Sequence, residues 1–136
     1  MLLEQSTTKT NFDPDARTLV YTNAGHPAGF LLDRNGEVRE ELEACEIPLG
    51  LYTDRVYPSS RAIRLEPGDV VALFTDGITE AQAADGSQYS EARLLSMLES
   101  YAGPREDLLN SIMKSLNTYI VDTPQYDDNT LLSLSR

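Results

Sequence analysis

A chain of 136 residues with 40% apolar and 24% charged side chains has the make-up of one globular domain, long enough to bury a core. Its 22 Asp plus Glu against 11 Lys plus Arg leave a net charge of −11. That balance excludes a nucleic-acid binder built on clustered Lys and Arg, and it disfavours adsorption to an anionic membrane. Cys45 is the only cysteine, so no intramolecular disulfide forms, which fits a reducing cytosol. No apolar run approaches the ~18 residues of a membrane helix, and "MLLEQSTTK" turns polar too soon for a signal peptide. The expectation is a cytoplasmic chain with no nucleic-acid and no membrane partner.

The first half reads as strands and turns. Residues 7–12 form a candidate strand, and "DPDAR" (13–17) is a turn cluster. "TLVYTN" (18–23) is β-branched and aromatic, hence strand-like. "AGHP" breaks it, "GFLLD" resumes, and Asn35-Gly36 signals a hairpin whose return strand begins at Val38. Residues 46–60 lose all periodicity and read as a long surface loop. Residues 61–65 alternate, "EPGD" is a tight turn, and residues 70–75 read as the answering strand. Five consecutive apolar positions, Val70 to Phe74, predict burial on both faces of that strand.

The second half is mostly helical. A helix-prone piece spans residues 78–84. Ser90 caps a helix that aligns Leu94, Leu98 and Tyr101, with Leu95 beside them. Gly103-Pro104 stops it and starts another with Leu109, Ile112, Leu116 and Ile120 at helical spacing, and Pro124 lies beyond. Residues 130–134 form a final strand. Hairpins followed by helices make the fold class α+β.

Asp76 ends one predicted strand, and Asp127-Asp128 precede another. If those strands pair antiparallel, the three carboxylates gather at one sheet edge, where like charges raise a pKa or recruit a cation. Oxygen-only donors without His or Cys suit Mg²⁺ or Mn²⁺ rather than Zn²⁺. Asp-Gly after a strand is also a common turn, so taken alone Asp76 reads as structural, and "DDNT" taken alone reads as a turn. Asp85-Gly86 reads as a turn, His26 in "NAGHP" as a satisfied turn histidine, and Cys45 as packing. A haloacid-dehalogenase-type phosphatase would place its nucleophilic Asp two residues before the Asp-Gly; Phe74 stands there, and that chemistry fails.

Four segments, "LVYTNAGHPAGFLL", "IPLGL", "LEPGDVVALFTDGITEA" and "DDNTLLSL", stand in an order and spacing that resemble the SpoIIE/RsbU-type branch of the metal-dependent PPM protein serine/threonine phosphatases. The resemblance runs from about Thr18 to the C-terminus. It implies part of an α-β-β-α sandwich, antiparallel sheets flanked by helices, with a divalent Mn²⁺ or Mg²⁺ site at its edge. It also implies hydrolysis of phosphoserine or phosphothreonine on a regulatory phosphoprotein, such as an anti-sigma-factor antagonist in bacterial signalling. Carried over by position, Asp76 and Asp127 are metal ligands, Asp128 and Gly77 stand behind them, and the nucleophile is metal-bound water. "NAGH" carries over as a structural signature.

The family's upstream Gly-Asp-x-Tyr/Phe-Asp segment, which supplies the carboxylate bridging two ions, has no counterpart in residues 1–23, where Asp13 and Asp15 stand in a turn cluster. Residues 1–136 therefore read as a single, N-terminally incomplete domain. The expectation that follows is weak metal binding, little or no activity of this chain alone, and a sheet edge open to pairing in a homodimer. The rival reading is a non-catalytic, degenerate phosphatase-like domain that binds a signalling partner.

Overall fold

Alternation, apolar runs and turn chemistry produce seven strands and three α-helices among the described residues, which in this computed structural model are 7–45, 56, 58–120 and 131–135. The strands are β1 (Thr7–Asp13), β2 (Thr18–Ala24), β3 (Gly29–Leu32), β4 (Val38–Leu42), β5 (Ile63–Arg64), β6 (Val70–Phe74) and β7 (Leu131–Ser135). The helices are α1 (Asp76–Thr79), α2 (Glu91–Ser100) and α3 (Leu108–Tyr119), the last preceded by a 3-10 turn at Arg105–Asp107.

Two antiparallel sheets form, β1-β2-β5 and β4-β3-β6-β7. The period of two in β2 buries Leu19, Tyr21 and Asn23 and leaves Thr18, Val20 and Thr22 half-buried, so this sheet has one inward face. β3 and β6 have two buried faces. Leu31 and Val71 meet Leu19, Tyr21, Leu42, Ile63 and Leu65 between the sheets. Phe30, Ala72 and Phe74 point the other way, onto Ile78 of α1, Leu94 and Leu98 of α2, and Ile112 and Leu116 of α3. Phe30 and Phe74 stack with ring centroids 5.8 Å apart. The layers are therefore sheet, sheet and helices: an α+β arrangement containing three layers of the expected sandwich. The apolar run of β6 is explained by its place as the strand that feeds both cores.

Several expectations require correction. β5 and β6 are not hairpin partners: β5 pairs with β2, whereas β6 pairs with β3 and β7. "EPGD" is a tight turn, with Asp69 N–H donating to the Glu66 carbonyl at 3.0 Å and Gly68 at φ 90°, but it carries the chain from one sheet to the other. Ile63 and Val71 thus face each other across the core instead of along a ladder. The helix expected over residues 78–84 stops at Thr79. Its next turn would need the Thr79 carbonyl for residue 83, yet Ser90 N–H takes that carbonyl at 2.8 Å, and Ala83 N–H turns to Ser87 at 2.9 Å. In α3 the buried stripe is Leu108, Ile112 and Leu116, with Leu109 and Ile120 half-buried, because the preceding 3-10 turn delivers Leu108 onto the core. The loop expected over 46–60 lies outside the described residues except for 56 and 58–60, as does Pro124.

Candidate functional site

Register defines which segments meet. Phe30 pairs with Ala72, and Phe74 with Leu131, so the N-ends of β3 and β7 flank the C-end of β6. β4 runs antiparallel to β3, with Gly29 opposite Leu42, and its C-end joins the same edge. Residues 75–77, the 25–28 turn and the start of β7 therefore share one end of the sandwich. The close approach there requires a glycine: a Cβ on Gly29 would stand 2.8 Å from the Ala72 carbonyl oxygen and 2.5 Å from Leu73 Cδ2.

Asp76 is the first residue of α1. It is exposed, whereas Gly77 and Ile78 behind it are buried. Among the described residues its carboxylate accepts no hydrogen bond and makes no ion pair; only its backbone carbonyl is used, by Glu80 N–H at 2.8 Å and by the Thr79 hydroxyl. Asp85, in the other Asp-Gly pair, which lies between α1 and α2, behaves oppositely. Its Oδ1 accepts Ser87 N–H at 2.9 Å and the Ser87 hydroxyl, which hold the carboxyl below the usual carboxylate range, and Gly86 takes φ 82°. Asp85-Gly86 is a side-chain-capped turn. Asp76-Gly77 is not, although the two dipeptides are identical.

The 25–28 turn hangs on Asn23. This side chain is fully buried, donates to the carbonyls of Leu42 at 3.2 Å and Pro27 at 3.4 Å, and accepts His26 N–H at 2.9 Å. His26 Nδ1 lies 3.2 Å from the Pro27 carbonyl, in keeping with a satisfied turn histidine. Asn23 was missed as a determinant of this end. Its signal was legible: a polar residue on the inward face of an alternating strand, in step with Leu19 and Tyr21, must find partners. Close by, burial first and then the neighbouring Cys45, Glu40 and Glu43 push the Tyr21 hydroxyl above its ordinary pKa. Cys45 is half-buried against the inter-sheet core, with Sγ 3.9 Å from the Glu43 carbonyl oxygen.

Asp127 and Asp128 lie outside the described residues, three or more positions before Leu131. Among the described residues, no three His, Cys, Asp or Glu side chains come together as a metal cage. Nor is any helix among them long and apolar enough to cross a membrane.

Comparison with known proteins places the fold and the family. The model of the family described as Stage II sporulation protein E (SpoIIE) matches residues 6–136. Phosphoserine phosphatase RsbU of Bacillus subtilis is 30% identical over 127 residues, covering 93% of this chain and 37% of that protein. The SiaA-PP2C domain of Pseudomonas aeruginosa superposes with a TM-score of 0.81 at 24% identity, covering 96% of this chain and 51% of that domain. The Mn-presoaked phosphatase domain of SpoIIE from Bacillus subtilis superposes with a TM-score of 0.70 at 13% identity, covering 96% and 56%. The chain thus spans little more than a third of RsbU and about half of each solved domain. With the family model matching nearly its whole length and the PP2C fold shared, this chain belongs to the SpoIIE family of PPM-type phosphatase domains.

Proposed function

We propose that this chain carries part of a metal-dependent serine/threonine phosphatase domain of bacterial signalling, with Asp76 and Asp127 as ligands of one Mn²⁺ or Mg²⁺ ion. The carrying observation is the contrast between the two Asp-Gly pairs: Asp85 Oδ1 accepts two donors of its own turn, and Asp76 holds an exposed carboxylate that no protein donor engages among the described residues. An oxygen donor at the start of α1, just past a strand fixed by neighbours on both sides, fits a hard divalent cation. The β6–β7 register supports the pairing with Asp127. Asp127 is four residues from Leu131, and four residues of chain reach at most about 14 Å. In this reading Gly77 lets the backbone turn inward behind Asp76, and Asp128 orients the ligands from behind.

Bound there, a divalent ion supplies a water of lowered pKa and neutralises charge on a phosphoryl group. The chain's own residues do the positioning. β6 and its two neighbours hold Asp76, and Asn23 pins the 25–28 turn at the same end, forming a wall beside the substrate. The proposed substrate is a phosphoserine or phosphothreonine on a regulatory protein such as an anti-sigma-factor antagonist, supported by the relative named phosphoserine phosphatase RsbU. A cytoplasmic location and a homodimer joined along an open sheet edge, such as that of β7, belong to the same reading; sedimentation that stays monomeric at high concentration removes the dimer.

A second reading, a non-catalytic module that binds a signalling partner, is favoured by the observation that no three His, Cys, Asp or Glu side chains gather as a metal cage among the described residues. Calorimetric titration with Mn²⁺ tests the metal site directly, and Mn²⁺-dependent turnover of an aryl phosphate separates the two functions. Asp76→Asn and Asp127→Asn should each weaken Mn²⁺ binding more than Asp128→Asn does. Affinities equal to wild type in the first two variants refute the ligand assignment. Metal binding without turnover selects the binding module.

A further inference from the structure

Three arginines of the β-layers and the turns beside them are matched by carboxylates: Arg39 with Asp69, Arg61 with Glu40, and Arg64 with Glu66. The helical face differs. A groove of about 430 Å³ between α2 and α3 is lined by Arg93, Ser111, Lys114, Ser115 and Thr118. Arg93 and Lys114 are both exposed, and neither pairs with a carboxylate among the described residues.

Arg93 is held by aromatic faces. Its guanidinium carbon lies 4.4 Å from the Tyr119 ring centroid and 5.8 Å from that of Tyr89. Those rings are themselves fixed, edge to face at 5.4 Å, with the Tyr89 hydroxyl 2.9 Å from Ser115 Oγ and the Tyr119 hydroxyl donating to the Gln88 carbonyl at 3.0 Å. Stacking orients a guanidinium while leaving its N–H edge free for a planar carboxylate. Asp85, whose Ser87 partner also lies 2.7 Å from the Tyr119 hydroxyl, is tied to that serine.

We propose that this groove docks an acidic segment of a protein partner, its carboxylates meeting Arg93 and Lys114 and its remaining polar atoms meeting the hydroxyls of Ser111, Ser115 and Thr118. Charge complementarity argues for that occupant: two exposed cations, unmatched by carboxylates among the described residues, stand together on an otherwise acidic chain, a local exception to its net charge of −11. Ser90 N–H is bonded to the Thr79 carbonyl at 2.8 Å, which sets the start of α2, and with it Arg93, beside the short helix that bears Asp76. The segment is therefore assigned to sequence flanking the phosphorylated residue of a substrate. That assignment rests on the phosphatase reading, whereas the binding itself does not.

The test is fluorescence anisotropy of a fluorescein-labelled hexaglutamate peptide with the intact chain in EDTA, paired with amide chemical-shift mapping. Saturable binding is expected, shifting the amides of residues 93, 111, 114, 115 and 118 and weakening severalfold as salt rises from about 0.05 to 0.3 M. Arg93→Gln with Lys114→Gln should weaken it about tenfold, and Lys114→Gln alone should weaken it by less, with both melting as wild type. Asp76→Asn should bind the peptide as wild type does, so failure of the metal site and failure of the groove are read separately. No saturable binding, equal affinity of the double variant, or shifts confined to another face overturns the proposal. Equally strong competition by inorganic phosphate also overturns it, reducing the groove to a small-anion site.

Discussion

At the end of the sandwich that carries the 14–17, 33–37 and 66–69 turns, aspartates are building material. Asp13 Oδ1 accepts two backbone N–H groups at 2.9 Å, Asp33 Oδ1 accepts those of Asn35 and Glu37 at 2.7 and 3.0 Å, and buried Asp69 accepts Glu66 N–H at 2.8 Å beside Arg39. At the opposite end the structural work is done by a neutral side chain, Asn23, and the aspartate just past the strand terminus is exposed and, among the described residues, unengaged. The lesson is that hydrogen-bond occupancy separates turn aspartates from candidate ligands where composition and spacing do not. A carboxylate oxygen already accepting two backbone donors has little left to offer a cation.

The sharpest way to break this contrast is to exchange the chemistry of the two Asp-Gly pairs. Asp76→Asn is expected to lower Mn²⁺ affinity about 100-fold in calorimetry, while Asp85→Asn leaves it where it is. Equal effects would erase the distinction. The turn end should instead suffer in stability. Asp69→Ala, which strands Arg39 and the Glu66 N–H, is expected to cost about 3 kcal/mol in denaturant unfolding, at the low end for a buried pair because the Arg39 side chain is 34% exposed. Asn23→Ala leaves the Leu42 and Pro27 carbonyls and His26 N–H without their partner and should cost about 2 kcal/mol. A loss in Asn23→Ala well below that of an exposed substitution would mean that the 25–28 turn holds itself.

Two glycines sharpen the comparison further. Gly36 at φ 87° and Gly86 at φ 82° bear nearly the same backbone strain on substitution, but a Cβ at Gly36 meets the Glu99 carbonyl oxygen at 2.8 Å and one at Gly86 meets nothing. Gly36→Ala should therefore cost about 1 kcal/mol more than Gly86→Ala, a difference that isolates the packing of the hairpin on α2. The smallest effect is a pH dependence. Hydrogen bonds, first from Glu37 N–H and then from Asn35, hold the Asp33 carboxyl below its ordinary range. A depressed folded-state pKa contributes stability that is present above the unfolded value and lost as pH falls through the folded one. Melting curves of wild type should thus lose slightly more than those of Asp33→Asn as pH falls below about 4. Identical profiles would deny Asp33 its capping role.

Much of this was legible in the residues. The strands over 7–12, 18–23 and 70–74, the Asn-Gly hairpin and the Ser90 cap each carry a local signal, and each stands where that signal puts it. Double-sided burial of β6 was also readable, because five apolar residues in a row have no outward face. Which sheet a strand joins was not readable. Residues 61–75 look like a hairpin because turn chemistry is local, whereas the choice between edge pairing and facing across a core depends on Leu19, Leu31 and Tyr21, far away in sequence. The short α1 escaped for the same reason, since Ser90 took the carbonyl that its continuation required. At the candidate site, Asp76 was legible as one of two readings, and only its lack of a hydrogen-bond donor among the described residues separates it from Asp85.

The pairing of Phe74 with Leu131 joins positions 57 residues apart. On a ribosome adding about 5–20 residues per second, the β6 edge that faces β7 waits roughly 3–11 s for its partner. During that interval an apolar strand offers unpaired backbone groups to any neighbouring chain, and the end that carries Asp76 lacks the β7 flank. Formation of the last ladder therefore couples two events in time. The step that covers the exposed edge of β6 is also the one that brings the start of β7 to the end of the sandwich that carries Asp76.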